Sequence, residues 1–296
     1  MLFRESPQTI GIIFFIIFFA IVPLAAIRWW LLLRAIGLPV EIKQTFILTW
    51  IGNFFNTTLP GAVTGDLVKG YYVIKANQDK ERTRAFTTLI IDRFAGLFGL
   101  VMMAFFALIF NYELISLKEN LHFLAWMITA LFVVTILFYT IVVYPFKEYQ
   151  DPFIWIFSRL PASKFTKKVY SAFRNYKNQK KTLILTLLIS IAIHSLVAII
   201  FFQIAKLIGI TEIELATQFF LMPIGLISVA IPIAPGGIGI GHAVFESLYQ
   251  LAGLTGGADV FNLFVIVQLG IFLIGGIPYF LYGSIYRVPK GNRKST

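Results

Sequence analysis

The sequence predicts an all-α, polytopic membrane protein with about five full helical spans and two helical hairpins broken by proline and glycine. Three observations carry that prediction. The 296 residues are 58% hydrophobic and 13% charged, with 31 Phe, whereas a soluble domain runs at about half apolar and a quarter charged. The apolar residues come in long runs with no polar alternation, so no wet face exists, and in lipid the backbone must satisfy its own hydrogen bonds as helix. Most basic residues lie in the segments between the runs, and those segments sort by charge.

Full spans are expected near residues 8–33, 85–110, 121–145, 182–207 and 260–285. The first run ends at Arg28-Trp29-Trp30, which reads as an interfacial aromatic-cation anchor closing a retained span, not as the cleavage site of a signal peptide. Two regions, 44–76 and 216–253, are apolar but interrupted. The first holds Asn53, Asn56, Thr57, Thr58 and then Pro60-Gly61; the second holds Pro232, Pro235 and glycines at 236, 237, 239 and 241. Proline removes a backbone donor and clashes with the preceding turn, and clustered glycines tolerate unwound backbone. Each region is therefore expected to be two short helices meeting at a break.

The linker 147–181, the tail 287–296 and the segment around Lys75, Lys80, Arg82 and Arg84 are basic, and the turns at Glu113–Glu119, Glu212–Glu214 and Asp259 are acidic or nearly uncharged. Positive-inside sorting puts the first set in the cytoplasm, with the C-terminus, and the second set outside. That works only if each broken region enters and leaves on one side. The single membrane domain then divides into a first half (1–110), a linking span with a basic amphipathic segment around Pro152–Tyr176 (111–181), a second half (182–286) and a basic tail (287–296). The halves run in opposite directions, the inverted-repeat logic of many transporters. The formal charge of +11 follows from the same sorting and from attraction to anionic lipid, with no nucleic acid implied.

Zero cysteines exclude disulfides, thiolate metal sites and a Cys nucleophile. No nucleophile elbow, His-Glu-x-x-His or Walker loop is present. What remains is polar chemistry at the breaks. Asn53 and Asn56 share a helix face, and with Thr57 and Thr58 they either satisfy backbone opened by the break or line a polar pocket for a headgroup. Asp66 and Lys69 follow at i, i+3, either as a plain ion pair at a helix start or as a charged-ligand or proton-coupling site. Asp92 and Arg93 are adjacent, so each must find a different partner. The amides of Gly236, Gly237 and Gly239, ahead of a helix N-terminus, suit an anion such as phosphate. His242 and Glu246 sit i, i+4 and could gate or titrate together; without a third ligand they are a poor metal site, and no metal or other cofactor is expected. His194, mid-span, is a structural hydrogen-bonder or a second proton-coupling candidate.

These motifs together resemble the flippase-like family that includes the transmembrane region of lysylphosphatidylglycerol synthases (the multiple peptide resistance factor). The resemblance spans nearly the whole chain and rests on the Asn-rich, Pro-broken second segment leading to Gly65-Asp66 and Lys69, on Asp92-Arg93, and above all on Pro235-Gly236-Gly237-Ile238-Gly239. The family commonly has Glu where this chain has His242, which leaves Glu246, one turn later, as the nearest carboxylate. The synthases' aminoacyl-transferring domain has no counterpart in these residues, so lipid aminoacylation is not expected of them. The resemblance implies movement of lipids or lipid-linked precursors between leaflets of a bacterial inner membrane. Asn53, Asn56, Thr57, Thr58, Lys69, Arg93, Gly236, Gly237 and Gly239 would hold an anionic or phosphate-bearing headgroup, and Asp66, Asp92, His194, His242 and Glu246 would gate or couple protons. A synthase or glycosyltransferase is the protein partner this implies. The alternative is an integral membrane enzyme or accessory subunit acting on lipid headgroups or lipid-linked sugars, with His242 and Glu246 as its acid and base.

Overall fold

The computed structural model describes residues 7–59, 63–76, 82–144, 170–171, 173–230 and 239–285, with Arg159 and Lys167. Among these residues the regular structure is helical: α1 (Pro7–Ala35), α2 (Ile42–Thr58), α3 (Thr64–Ala76), α4 (Arg82–Phe110), α5 (Tyr112–Leu117), α6 (Glu119–Val143), α7 (Lys180–Leu207), α8 (Leu215–Val229), α9 (Ile240–Ala252), α10 (Gly257–Leu273) and α11 (Gly276–Ile285). Five apolar stretches are long enough to cross a bilayer: Pro7–Ala35, Arg84–Phe110, Leu121–Val143, Lys180–Leu207 and Gly257–Leu281. They coincide with the five spans expected from the apolar runs.

Each span takes its form from local sequence. In α1, Pro23 contributes no amide hydrogen to the helical ladder, and the turn ahead of it, Ile17–Ile21, widens to π geometry. The outward faces carry Phe15, Phe110, Phe123, Trp126 and Phe280, all exposed. Apolar surface of that extent is what lipid accepts and water does not. The chain is a multi-pass membrane protein.

The two interrupted regions are pairs of short helices. Helices α2 and α3 have 17 and 13 residues, about 25 and 20 Å at 1.5 Å per residue, short of a hydrocarbon core of roughly 30 Å. Helices α8 and α9, of 15 and 13 residues, are equally short. The members of each pair pack on one another. Pro60–Ala62 and residues 231–238, the tips of both breaks, lie outside the described residues. So do most of the expected amphipathic stretch Pro152–Tyr176 and the whole basic tail.

Close packing in the first pair depends on glycine. A Cβ on Gly65 would stand 1.9 Å from the Gly52 carbonyl oxygen, so no side chain fits between α2 and α3 there. The same device brings α4 against α7, where a Cβ on Gly99 would stand 2.6 Å from the Ser190 Cβ. Small residues at crossing points let backbones approach, as helices in membranes require.

Apolar clusters flank these crossings. Trp29, Leu33, Leu48, Ile51 and Val73 tie α1, α2 and α3 together. A larger cluster around Phe201, Phe220, Phe245 and Phe261 ties α7, α8, α9 and α10 together. Helix α4 packs against α1, α3, α6, α7 and α8, and helix α2 against α1, α3, α10 and α11. Polar residues on α2 and α4 are thereby turned toward the inside of the bundle.

Candidate functional site

A cavity of about 470 Å³ opens between α1, α2, α3, α4 and α7, with Ala230 after α8 on its edge, a size typical of ligand sites. Its polar lining is Arg28, Thr49, Asn53, Asn56, Asp66, Lys69, Asp92, Arg93 and His194. In an apolar bundle such charges must pair or face a wet space; here they pair with one another and line the cavity.

One cluster is closed. The Arg28 guanidinium grips Asp92 with two hydrogen bonds, Nε to Oδ1 at 2.7 Å and Nη2 to Oδ2 at 3.1 Å, and Nη1 donates to Ser190 Oγ at 2.9 Å. Both charged side chains are only 11% and 13% exposed. The planar fork of arginine suits this bidentate geometry, and the result joins α1, α4 and α7 at one point. The reading of Arg28 as an interfacial anchor is thus corrected: α1 continues to Ala35, Trp29 is buried with its Nε1 donating to Thr88 Oγ1, and Arg28 faces the interior.

The other cluster is more open. Asp66, in the first turn of α3, accepts from Lys69 Nζ at 2.7 Å and from Arg93 Nε through its other oxygen. Lys69 is buried, with its ammonium 4.8 Å from the Trp29 ring centroid, a distance at which the ring face attracts a cation. The Arg93 side chain is 43% exposed. Asp92 and Arg93 therefore serve different clusters, as adjacent helix positions require.

The asparagines divide the two roles left open by the sequence. Asn56 Oδ1 accepts the Gly65 amide at 2.8 Å, satisfying one of the unpaired donors at the start of α3, while the residue also lines the cavity. Asn53 lines the cavity without a side-chain hydrogen bond among the described residues. Thr57 and Thr58 turn their hydroxyls back to the Asn53 and Phe54 carbonyls, both at 2.9 Å, and neither lines the cavity. His194 Nε2 lies 3.1 Å from the Gly96 carbonyl. A carbonyl only accepts, so Nε2 carries the hydrogen, leaving Nδ1 buried and without a partner among the described residues.

The second break is built differently. Gly239, at φ +91°, takes the left-handed backbone that glycine permits, and its amide donates to His242 Nδ1 at 3.2 Å. His242 thus reaches back over the start of α9, as a capping-box side chain does. Glu246 accepts from the Ala258 amide and from Gln250 Nε2, both at 3.1 Å, tying α9 to α10. The two side chains have separate partners, and neither lines the cavity among the described residues. Gly236 and Gly237 lie outside those residues. Among the described residues no group of three or more His, Asp or Glu is placed to hold a metal ion.

The sequence profile of the lysylphosphatidylglycerol synthase TM region matches residues 2–277. The chain belongs to this family. It is also similar to the UPF0104 membrane protein PH1989 of Pyrococcus horikoshii, 28% identical over 251 residues that cover 77% of this chain and 73% of that protein. No solved structure matches it. In this family member, the Asn-rich segment, Asp66, Lys69, Asp92 and Arg93 converge on one cavity. Thr49, unmarked by any local motif, and Arg28, whose local motif pointed to the membrane edge, join them, and Ser190 is tied in through its bond to Arg28.

The closed cluster generates a stability prediction. Arg28→Met strands the Asp92 carboxylate in the bundle and lowers stability by about 3–5 kcal/mol. The double variant Arg28→Met/Asp92→Leu recovers most of that loss, because neither charge is then left alone. Thermal unfolding in detergent checks this; equal losses in single and double variants would show the pair to be uncoupled.

Proposed function

We propose that this protein translocates a membrane lipid or lipid-linked precursor between leaflets, holding its phosphate-bearing headgroup in the cavity between α1, α2, α3, α4 and α7. The observation that carries the reading is charge inside an apolar bundle. Arg28, Lys69 and Arg93 face Asp66 and Asp92 there, three cations against two carboxylates among the described residues of the lining. The surplus is positive, so the site attracts an anion. The Asn53 amide adds hydrogen-bonding capacity with no competing protein partner among the described residues. Family membership supports a lipid-related role, and the apolar exterior supplies the surface along which acyl chains stay in lipid.

In this reading both short helix pairs are re-entrant, α2–α3 dipping from the cytoplasm and α8–α9 from the outer face, and the halves form an inverted repeat with a cytoplasmic C-terminus. The lengths of α2 and α3 support it, since neither reaches across the hydrocarbon alone. Because the chain has no cysteine, single thiols report sidedness cleanly. With a membrane-impermeant reagent added outside, Asp259→Cys is labelled and Leu59→Cys, at the tip of α2, is not. Outside labelling of Leu59→Cys would mean that α2 crosses fully.

Translocation itself is read in proteoliposomes carrying a fluorescent phosphatidylglycerol. Lys69→Ala and Arg93→Ala each slow its movement by about tenfold or more, the scale of one lost charge-assisted hydrogen bond. A wild-type protein that moves no phosphate-headed lipid under any ion gradient, or variants as fast as wild type, would sink the proposal.

A further inference from the structure

The two charged clusters in the cavity are unlike in a way that assigns them different work. The Arg28–Asp92 cluster is closed: fork geometry, a third bond to Ser190 and low exposure on both sides. The Asp66 cluster has one carboxylate shared by two cations, each taking a different oxygen. Lys69 is sequence-local to Asp66 and on the same helix, and its side chain is 10% exposed. Arg93 comes from α4, and its side chain is 43% exposed. The carboxylate–guanidinium contact between Asp66 of α3 and Arg93 of α4 therefore lies at the open side of the cavity.

A phosphate oxygen and a carboxylate oxygen offer these two cations the same chemistry: negative charge and lone pairs for N–H donors. From this, and resting on the headgroup reading above, the geometry points to Asp66 as an internal counter-anion. An incoming phosphate group displaces its carboxylate from Arg93 and takes over the donors of Arg93 and Lys69. Asp66 is then a specificity-determining residue that acts by competition. It holds two cations neutralised within an apolar bundle while the site is unoccupied and sets the strength an anion must have to enter. Neutral headgroups replace it poorly, because exchanging a carboxylate for an uncharged group takes away the negative charge that Lys69 and Arg93 share. The competition also couples occupancy to position. Once Asp66 is released, the Asp66–Arg93 tie between α3 and α4 is lost, while the Arg28–Asp92–Ser190 cluster keeps α1, α4 and α7 together.

The sign of this proposal is opposite to that of an ordinary binding residue. Removing the Asp66 charge removes the competitor, so anion binding gains. Wild-type and Asp66→Asn proteins in phosphatidylcholine nanodiscs are titrated with short-chain phosphatidylglycerol and, separately, with inorganic phosphate. Asp66→Asn binds phosphatidylglycerol about tenfold more tightly than wild type, the effect of a removed competitor of about 1.4 kcal/mol. A parallel gain for inorganic phosphate assigns the effect to the anion alone; a gain confined to the lipid assigns it to the headgroup as a whole. Both outcomes support displacement. Equal or weaker binding by Asp66→Asn overturns it while leaving the headgroup site standing. Binding by neither protein overturns the site reading beneath it. Should Asp66→Asn fail to fold, hydrogen–deuterium exchange on the wild-type protein carries the test. Saturating phosphatidylglycerol then raises exchange in the first turn of α3, and unchanged or lowered exchange there overturns the displacement.

Discussion

Five charged side chains gathered around one cavity of an apolar bundle, with Arg93 at its open side, set the terms for everything else in this protein. A charge at membrane depth is tolerated only when paired or when it faces a wet cavity. The helices must therefore bring Arg28 from α1, Asp66 and Lys69 from α3, and Asp92 and Arg93 from α4 to one place. The glycine crossings serve that requirement. Gly65 lets α3 close against Gly52 of α2, and Gly99 lets α4 close against Ser190 of α7. Ser190 is also the third partner of the Arg28–Asp92 pair. Packing and electrostatics meet at the same residues, so neither can be altered alone.

Much of this was legible in the sequence, for reasons that can be named. Hydrocarbon demands long apolar runs, so the five spans were readable to within a few residues. Proline and glycine mark backbone that cannot continue a helix, so the positions of the short pairs were readable as well. Polar residues are rare in such segments, and Asn53, Asn56, Asp66, Lys69, Asp92, Arg93 and His194 stood out for that reason. All seven line one cavity.

What was not legible depends on contacts between distant residues. Arg28 sits beside Trp29-Trp30, a local pattern that fits an interfacial anchor equally well. Only the bundle shows Asp92, 64 positions away, on its guanidinium. A signal was available: Leu31-Leu32-Leu33 continue the apolar pattern beyond Arg28, and the helix indeed runs on to Ala35, about two turns past the arginine. His242 and Glu246 show the converse. Their i, i+4 spacing promised a shared face, yet His242 serves the Gly239 amide and Glu246 the start of α10. Spacing along a helix fixes which side chains can be neighbours; what packs beside them fixes which partners they take. The threonines after Asn56 follow the same logic, since their hydroxyls donate to the carbonyls one turn back.

The central claim is that the cavity holds a phosphate-bearing headgroup through its surplus positive charge. Mass spectrometry of lipid retained by the purified protein tests this most directly, with wild type and Lys69→Ala compared from the same membranes. The account predicts a phosphate-headed anionic lipid bound to wild type and largely lost from Lys69→Ala. Retention of neutral lipids only, or of the same anionic lipid in equal amount by both proteins, would contradict it.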